Sequence, residues 1–442
     1  MKVSKLFPES IFRSGKMPAV IFMAGFVFFS CRQAPVSSPL PLKREALNLA
    51  FLYNPAESAI HPEAGILHLN DSISNLYISI PQSELLFNQA NPEGRFLTSL
   101  RFHYEIYELY EKETSRKLVD SGSYKTELEK NKLHGLYYTV FPVRCRYGRQ
   151  YTLRLFTYDN MRNKSMQTFL RIDKTDRNGR QYFMAFTPTS HYPVLKPYVA
   201  AGRNIILRYG PGGIDSVYVQ WYRKSQPLPL PVFSSETPKN LLIRPDSVWK
   251  IALSDTLVFD TTRTGLFHFR ADTMSFDGFT LLCPGEHYPE IKTPAQMIPP
   301  LAYLTSGPEQ KAIEQNPNPK AAVDNFWLTC GDNIQTARDL IRAYYNRVFF
   351  ANYYFTADRE GWKTDRGMIY VVYGPPRTML KTDNQEEWTY FTEAGRKVVF
   401  TFRYKPSPLT ENLFVLIRNL EPSPHWRQAV DSWRSGKVFT TQ

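Results

Sequence analysis

The chain has 442 residues, a formal net charge of +13, and hydrophobic and aromatic contents of 43% and 14%. That is enough apolar material for two or three folded domains and too much for a disordered protein. The bases are interspersed with acids, as in Arg171-Ile-Asp-Lys-Thr-Asp-Arg-Asn-Gly-Arg180, whereas a nucleic-acid footprint clusters bases and spares acids.

Lys2, Lys5, Arg13 and Lys16 precede an apolar run from Ala19 to Phe29, followed by Ser30 and Cys31. A basic start, a short apolar stretch and a small residue before the cut make the layout of a secretory signal. The run is roughly 11 residues, too short for the ~20 that span a bilayer as a helix. Phe28-Phe29-Ser30-Cys31 resembles the lipobox that ends bacterial lipoprotein signals. The resemblance implies cleavage before Cys31 and lipid on that cysteine, and several acyl chains on one residue give stable anchoring. Residues 1–30 are therefore expected to be a signal peptide. Residues 31–45, with Pro35, Ser37, Ser38, Pro39 and Pro41, are expected to be a Pro/Ser tether. Arg32-Gln-Ala-Pro35 lacks an acidic cluster resembling a surface-export tag, which favours the periplasmic face of the outer membrane.

Short alternating runs follow. Leu100, Phe102, Tyr104 and Ile106 alternate with Arg101, His103 and Glu105, which predicts a strand with one buried face. Tyr151–Phe156 and Phe169–Ile172 read alike, and the charged interval from Glu111 to Lys132 reads as a solvated hairpin or loop. Residues 46–175 are expected to form a first β-sandwich (Ig-like). After the polar stretch Lys174–Arg180, alternation at Val217, Val219 and Trp221 and the run Gly265–Arg270 predict a second sandwich over 181–282. The fold class is thus mainly β, closed by a C-terminal α+β domain. Cys145, Cys283 and Cys330 have no metal-ligand spacing and allow at most one disulfide; buried free thiols are the preferred reading, with Cys145 pointing inward between Arg144 and Arg146.

Residues 283–320 are rich in proline and read as a connector with a short helix near Pro308–Gln315. The C-terminal α+β domain is placed at 321–442. Its clearest helix carries Ile334, Ala337, Ile341, Tyr344 and Val348 on one face, with Asp332 as the expected cap and Gln335 as a capping-box partner. Strands are predicted at Met368–Tyr373, Glu387–Thr392, Lys397–Tyr404 and Leu413–Ile417, joined between the second and third by the turn Glu393–Arg396. A last helix is predicted from Pro424 to Ser435, stopped by Gly436.

Between the helix and the first of these strands stands Gly361-Trp362-Lys363-Thr364-Asp365. With Phe326-Trp327, Tyr345-Asn-Arg-Val348, Arg366–Pro376, Glu387-Trp-Thr-Tyr390 and Trp433-Arg-Ser-Gly436, it resembles the GWxTD-domain proteins, exported and often lipoprotein-type proteins of Gram-negative bacteria. The resemblance covers about residues 300 to 440 and implies no particular chemistry. The residues themselves suggest an ordered loop: Gly361 for a turn, Trp362 as an apolar anchor, Thr364 and Asp365 for local hydrogen bonds. Arg347 is the candidate clamp, expected to pair with Asp365.

No nucleophile elbow, His-Glu-x-x-His helix, phosphate-binding loop or dinucleotide fingerprint occurs, so no catalytic, cofactor-binding or metal-binding residue is assigned. The sequence reads as a non-enzymatic envelope lipoprotein, held to the membrane through Cys31. It would bind an envelope protein partner as an accessory subunit of an outer-membrane secretion or assembly machine. The alternative is an envelope hydrolase or glycan-binding protein using Trp362–Asp365. Asp365 with Glu386 or Glu387 would then be a carboxylate pair, or Trp362, Trp388 and Tyr390 a stacking platform.

Overall fold

Alternation along Phe96–Leu109 puts Leu100, Phe102, Tyr104 and Ile106 on one face of a 14-residue strand, and all four are buried. The computed structural model describes residues 47–442 apart from 58, 90–93, 110–115, 224–225, 237–243, 255–256, 383, 393–394, 421 and 441–442. The signal sequence, Cys31 and the tether lie outside the described residues, as does part of the turn expected at Glu393–Arg396. Residues 47–442 form one compact unit with several cores.

The first β region comprises β1 (Glu63–His68), β2 (Ile73–Pro81), β3 (Asn88–Gln89), β4 (Phe96–Leu109), β5 (Arg116–Glu129), β6 (Leu136–Arg144), β7 (Gln150–Asp159) and β8 (Lys164–Asp173). One antiparallel sheet has the order β1-β2-β6; the other has β3-β4-β7-β8, with β5 also paired to β4. Ile66, Leu76 and Ile78 of the first sheet share a core with Phe102, Ile106 and Leu153 of the second. The charged interval after Glu111 is largely strand, because β5 pairs with β4 almost along its whole length.

The second β region holds β9 (Phe183–Phe186), β10 (Pro193–Val194), β11 (Ile206–Tyr209), β12 (Ser216–Tyr222), β13 (Ser247–Ala252), β14 (Gly265–Arg270) and β15 (Phe279–Cys283). Its sheets are ordered β10-β9-β11 and β13-β12-β14-β15. Val217, Val219, Phe267 and Phe269 fill the space between them. Cys145, Cys283 and Cys330 are buried free thiols. Burial pushes the Cys145 thiol up to about 12, which leaves it inert.

The stretch expected as a connector is largely helical. α1 (Pro294–Met297), α2 (Gly307–Glu314) and α3 (Pro319–Gly331) are capped by Thr293, Ser306 and Asn318, whose side chains accept from Gln296, Glu309 and Ala321 N–H. Each has proline in its first two positions, where a missing N–H costs nothing and a fixed φ helps. α4 (Ile334–Phe355) is the long helix that the periodicity predicts. Its cap, however, is Asn333, which accepts from Thr336 N–H at 2.9 Å. Asp332 instead closes α3 at φ 55°, so the expected capping box with Gln335 does not form.

A second correction concerns Met368–Tyr373, which is helix, not strand: α5 spans Asp365–Tyr373. Every residue of α5 is buried, so its apolar run carries no periodicity to separate helix from strand. Thr364 opens it, and Gly374, at φ 83°, ends it. β16 (Thr378–Lys381), β17 (Gln385–Phe391), β18 (Lys397–Tyr404) and β19 (Phe414–Leu416) then form an antiparallel sheet in chain order, and α6 (Ser423–Arg434) closes the chain. Trp327, Tyr344, Met368, Trp388 and Trp433 share the C-terminal core. Residues from the start of the described chain join it. Leu49 N–H donates to Met379 O at 2.8 Å, and Asn48 Oδ1 accepts from Met379 N–H at 2.9 Å.

Candidate functional site

The signature sits where α4 hands over to α5. Gly361 begins a single tight turn that lies against α4, and a Cβ there would stand 2.0 Å from Ala351 O. Gly367 has the same constraint against Gly361 O, at 1.9 Å. Two glycines therefore let three backbone segments touch. Thr364 locks the turn: its hydroxyl donates to Gly361 O at 2.7 Å and accepts from Gly367 N–H at 3.0 Å. Buried Asn352 spans the junction, accepting from Trp362 N–H at 3.2 Å and donating to Pro289 O at 3.0 Å.

Trp362 is buried, with its ring edge-on to Tyr303 and its carbonyl accepting from the Tyr303 hydroxyl at 2.7 Å. Trp388 and Tyr390 are fully buried too. The three rings expected to offer a platform are thus core side chains, and none presents a flat face to solvent.

Asp365 occupies the first turn of α5, where a negative charge suits the helix N-terminus. Its Oδ2 accepts from Leu416 N–H at 2.8 Å, and its carboxylate pairs with the Arg418 guanidinium. The expected partner, Arg347, lies elsewhere. It donates to Val372 O at 2.9 Å and to Phe439 O at 2.6 Å, and its guanidinium stacks on Trp433. Burial pushes its pKa down to about 10, still protonated at neutral pH. Arg347 does clamp, but it fastens the C-terminal tail rather than the signature loop.

Sequence reasoning missed Arg366. Its guanidinium donates to Glu386 Oε1 at 3.2 Å and to Asn412 O at 2.9 Å, and lies 4.2 Å from the Phe414 ring centroid. Glu386 is fully buried and also takes Lys381 Nζ at 2.7 Å, the Tyr53 hydroxyl at 3.0 Å and Trp388 Nε1 at 3.2 Å. Burial alone would raise the Glu386 pKa, but the Lys381 and Arg366 charges outweigh it and hold it at about 2. A lone arginine at the head of an otherwise apolar run was the available signal: such a residue must find an anion inside. Asp365 and Glu386 thus belong to separate ion pairs, the first with Arg418 and the second with Arg366 and Lys381.

Asp365 borders a groove of about 540 Å³ whose lining includes neither Glu386 nor Glu387. Across it runs a strap, Gln226-Pro-Leu-Pro-Leu-Pro-Val-Phe233, from the long connection between β12 and β13. Arg418 holds the strap, donating to Leu230 O at 2.9 Å and Pro231 O at 3.2 Å. Val232 enters the C-terminal core and is buried.

These features define a mainly β protein whose C-terminal α+β region is organised around a buried signature loop. The family model of the GWxTD domain matches residues 265–435, and the chain is a GWxTD-domain-containing protein. No curated protein matches it.

Proposed function

We propose that the chain is an exported, lipid-anchored envelope protein. In this reading it is held through Cys31 to the outer membrane, facing the periplasm, and serves as a non-enzymatic protein-binding subunit of a secretion or assembly machine. The observation that carries the reading is the fate of the signature. Gly361, Trp362, Thr364 and Asp365 are spent on backbone contacts, core packing and an ion pair. The signature's chemistry is that of a scaffold, and a scaffold acts through the surface it shapes. The N-terminal basic-apolar-Ser30-Cys31 pattern supports the address. Among the described residues no helix is long and apolar enough to cross a membrane. A lipid anchor would keep such a subunit beside its partner at high effective concentration.

Two measurements test this. Metabolic labelling with an alkynyl fatty acid should mark the wild-type chain and not Cys31→Ala; equal labelling would remove the anchor. Affinity isolation of the lipidated chain from membranes, with mass spectrometry, should recover a stoichiometric envelope protein. Isolation of the chain alone would count against the accessory role.

A further inference from the structure

We propose that the trough crossed by residues 226–233 binds an extended, proline-rich segment of a partner protein, and that the strap is the chain's own placeholder there. This rests on the protein-binding reading above and names the partner's chemistry.

The strap alternates proline with leucine from Pro227 to Pro231. Each proline fixes its own φ and pushes the preceding residue into the extended range, so the segment is pre-ordered and loses little entropy when held. Prolines also lack an N–H, so along the strap backbone carbonyls outnumber donors. Arg418 meets two consecutive carbonyls, Leu230 and Pro231. The Asp365 carboxylate pairs with the same guanidinium. This grip reads an extended backbone rather than particular side chains.

The strap fills only the middle of the surface. Leu228 and Pro229 line hollows on both sides, one of about 540 Å³ reaching Phe414 and one of about 810 Å³ reaching Tyr303 and Trp426. Phe414 and Tyr303 form the buried floors of the hollows, and half-buried Trp426 supplies the accessible ring, the kind of surface that proline-rich chains dock against. The strap is pinned by buried residues at Gln226 and Val232, whereas Pro227 and Leu228 are exposed, Leu228 to 39%. With Arg418 gripping Leu230 and Pro231 as well, the loosely seated part is Pro227–Leu228, where an apolar side chain stands in water beside two hollows. A partner segment of like composition would displace it, take the Arg418 donors and extend into both hollows.

The probe is a fluorescent peptide of the strap's own sequence, Gln226 to Phe233, added to the full-length protein. A closed strap lowers apparent affinity by the fraction open, so Val232→Ser should bind about tenfold or more tightly than wild type. Adding Arg418→Ala in that background should weaken binding about tenfold, the loss of two charge-assisted hydrogen bonds. A peptide with alanine at the three proline positions should bind far less. Circular dichroism and thermal melting establish that Val232→Ser is folded. If it is not, the strap variant with Pro227, Pro229 and Pro231 all changed to Ala provides the same loosening at the surface. Folded, loosened protein that binds no better than wild type would overturn the proposal, and so would equal binding of the proline-free peptide. Should membrane isolation yield a stoichiometric partner while the peptide does not bind, the trough is wrong and the accessory role stands. Peptide binding with no partner recovered has the opposite meaning.

Discussion

Asp365 and Arg418 form an ion pair in which both side chains are nearly buried, at 9% and 8% exposure. Arg418 carries the connection onward to Leu230 and Pro231. The last residue of the signature thereby fixes both β19, through Leu416 N–H, and a strap that belongs in sequence to the second β region.

A double-mutant cycle measures that connection. Asp365→Asn leaves Arg418 without its anion in a dry site and should cost about 2–4 kcal/mol. Combined with Arg418→Ala, it should show a coupling of about 1–3 kcal/mol by urea denaturation. The same cycle on Asp365 and Arg347 should be additive within about 0.5 kcal/mol, since the two touch different partners. Coupling in the second cycle and not the first would contradict the assigned pairing.

Gly361→Ala drives a methyl into the Ala351 carbonyl. The backbone junction has to open, at a cost of about 2–4 kcal/mol in stability. Gly307→Ala is the matched control, because nothing lies within 4 Å of its added carbon; it should be neutral or stabilising by up to about 1 kcal/mol. Equal thermal shifts in the two variants would rule out the close approach.

Glu386 couples the C-terminal core to acid. Its folded pKa of about 2 lies below the ordinary glutamate value of 4.5, so its stabilisation is complete above pH 4.5 and fades as pH falls towards 2. The loss should be on the order of 3 kcal/mol. Glu386→Gln should cost about 3–5 kcal/mol at neutral pH, with two cations left facing a neutral group, and should flatten this acid limb. An unchanged limb would assign it to other carboxylates.

Two buried imidazoles set a second acid window. His68 and His268 each place Nε2 against a carbonyl, Asp173 O at 3.1 Å and Phe276 O at 2.9 Å, and Nδ1 against a hydroxyl. A carbonyl only accepts, so Nε2 carries a proton, and the hydroxyl at Nδ1 can donate to it, which suits the neutral ring. Burial pushes both pKa values down to about 4 from the ordinary histidine value of 6.5. Between pH 6.5 and 4 the unfolded chain binds protons that the folded chain refuses, and stability falls with pH. Each should contribute about 2 kcal/mol of loss at pH 5 relative to pH 7. Imidazole Cε1 proton resonances that titrate near pH 6.5 in the folded protein would refute this.

Much of the β architecture was legible because period-two alternation has one meaning when one face is wet, as along β4 and β7. The helix at 334–355 was equally plain, with its cap displaced by one residue because Asn and Asp compete for the same role. α5 was not legible, since it is buried all round and rich in β-formers. Its markers were Thr364 before it and Gly374 after it. Pro294 and Pro319 were read as linker composition, but each follows a capping side chain and opens a helix; the short helix expected near Pro308–Gln315 is α2. The contacts of the site were out of reach for a simpler reason. Tyr53 meets Glu386, and Arg418 meets residue 230; such pairings depend on the fold and leave no local pattern.

The pairing of Asn48 and Leu49 with Met379, and of Tyr53 with Glu386, spans more than three hundred residues. This sets an order of events during biogenesis. On a chain emerging from its N-terminus, these residues appear long before β16 and β17. Their docking site does not exist until β16 and β17 have been made. The two β regions can gather their own cores meanwhile, but residues 48–53 stay unpaired until the last sheet forms. Closing that long loop is a late step, and synthesis cut short before β16 would leave the start of the chain open to proteases.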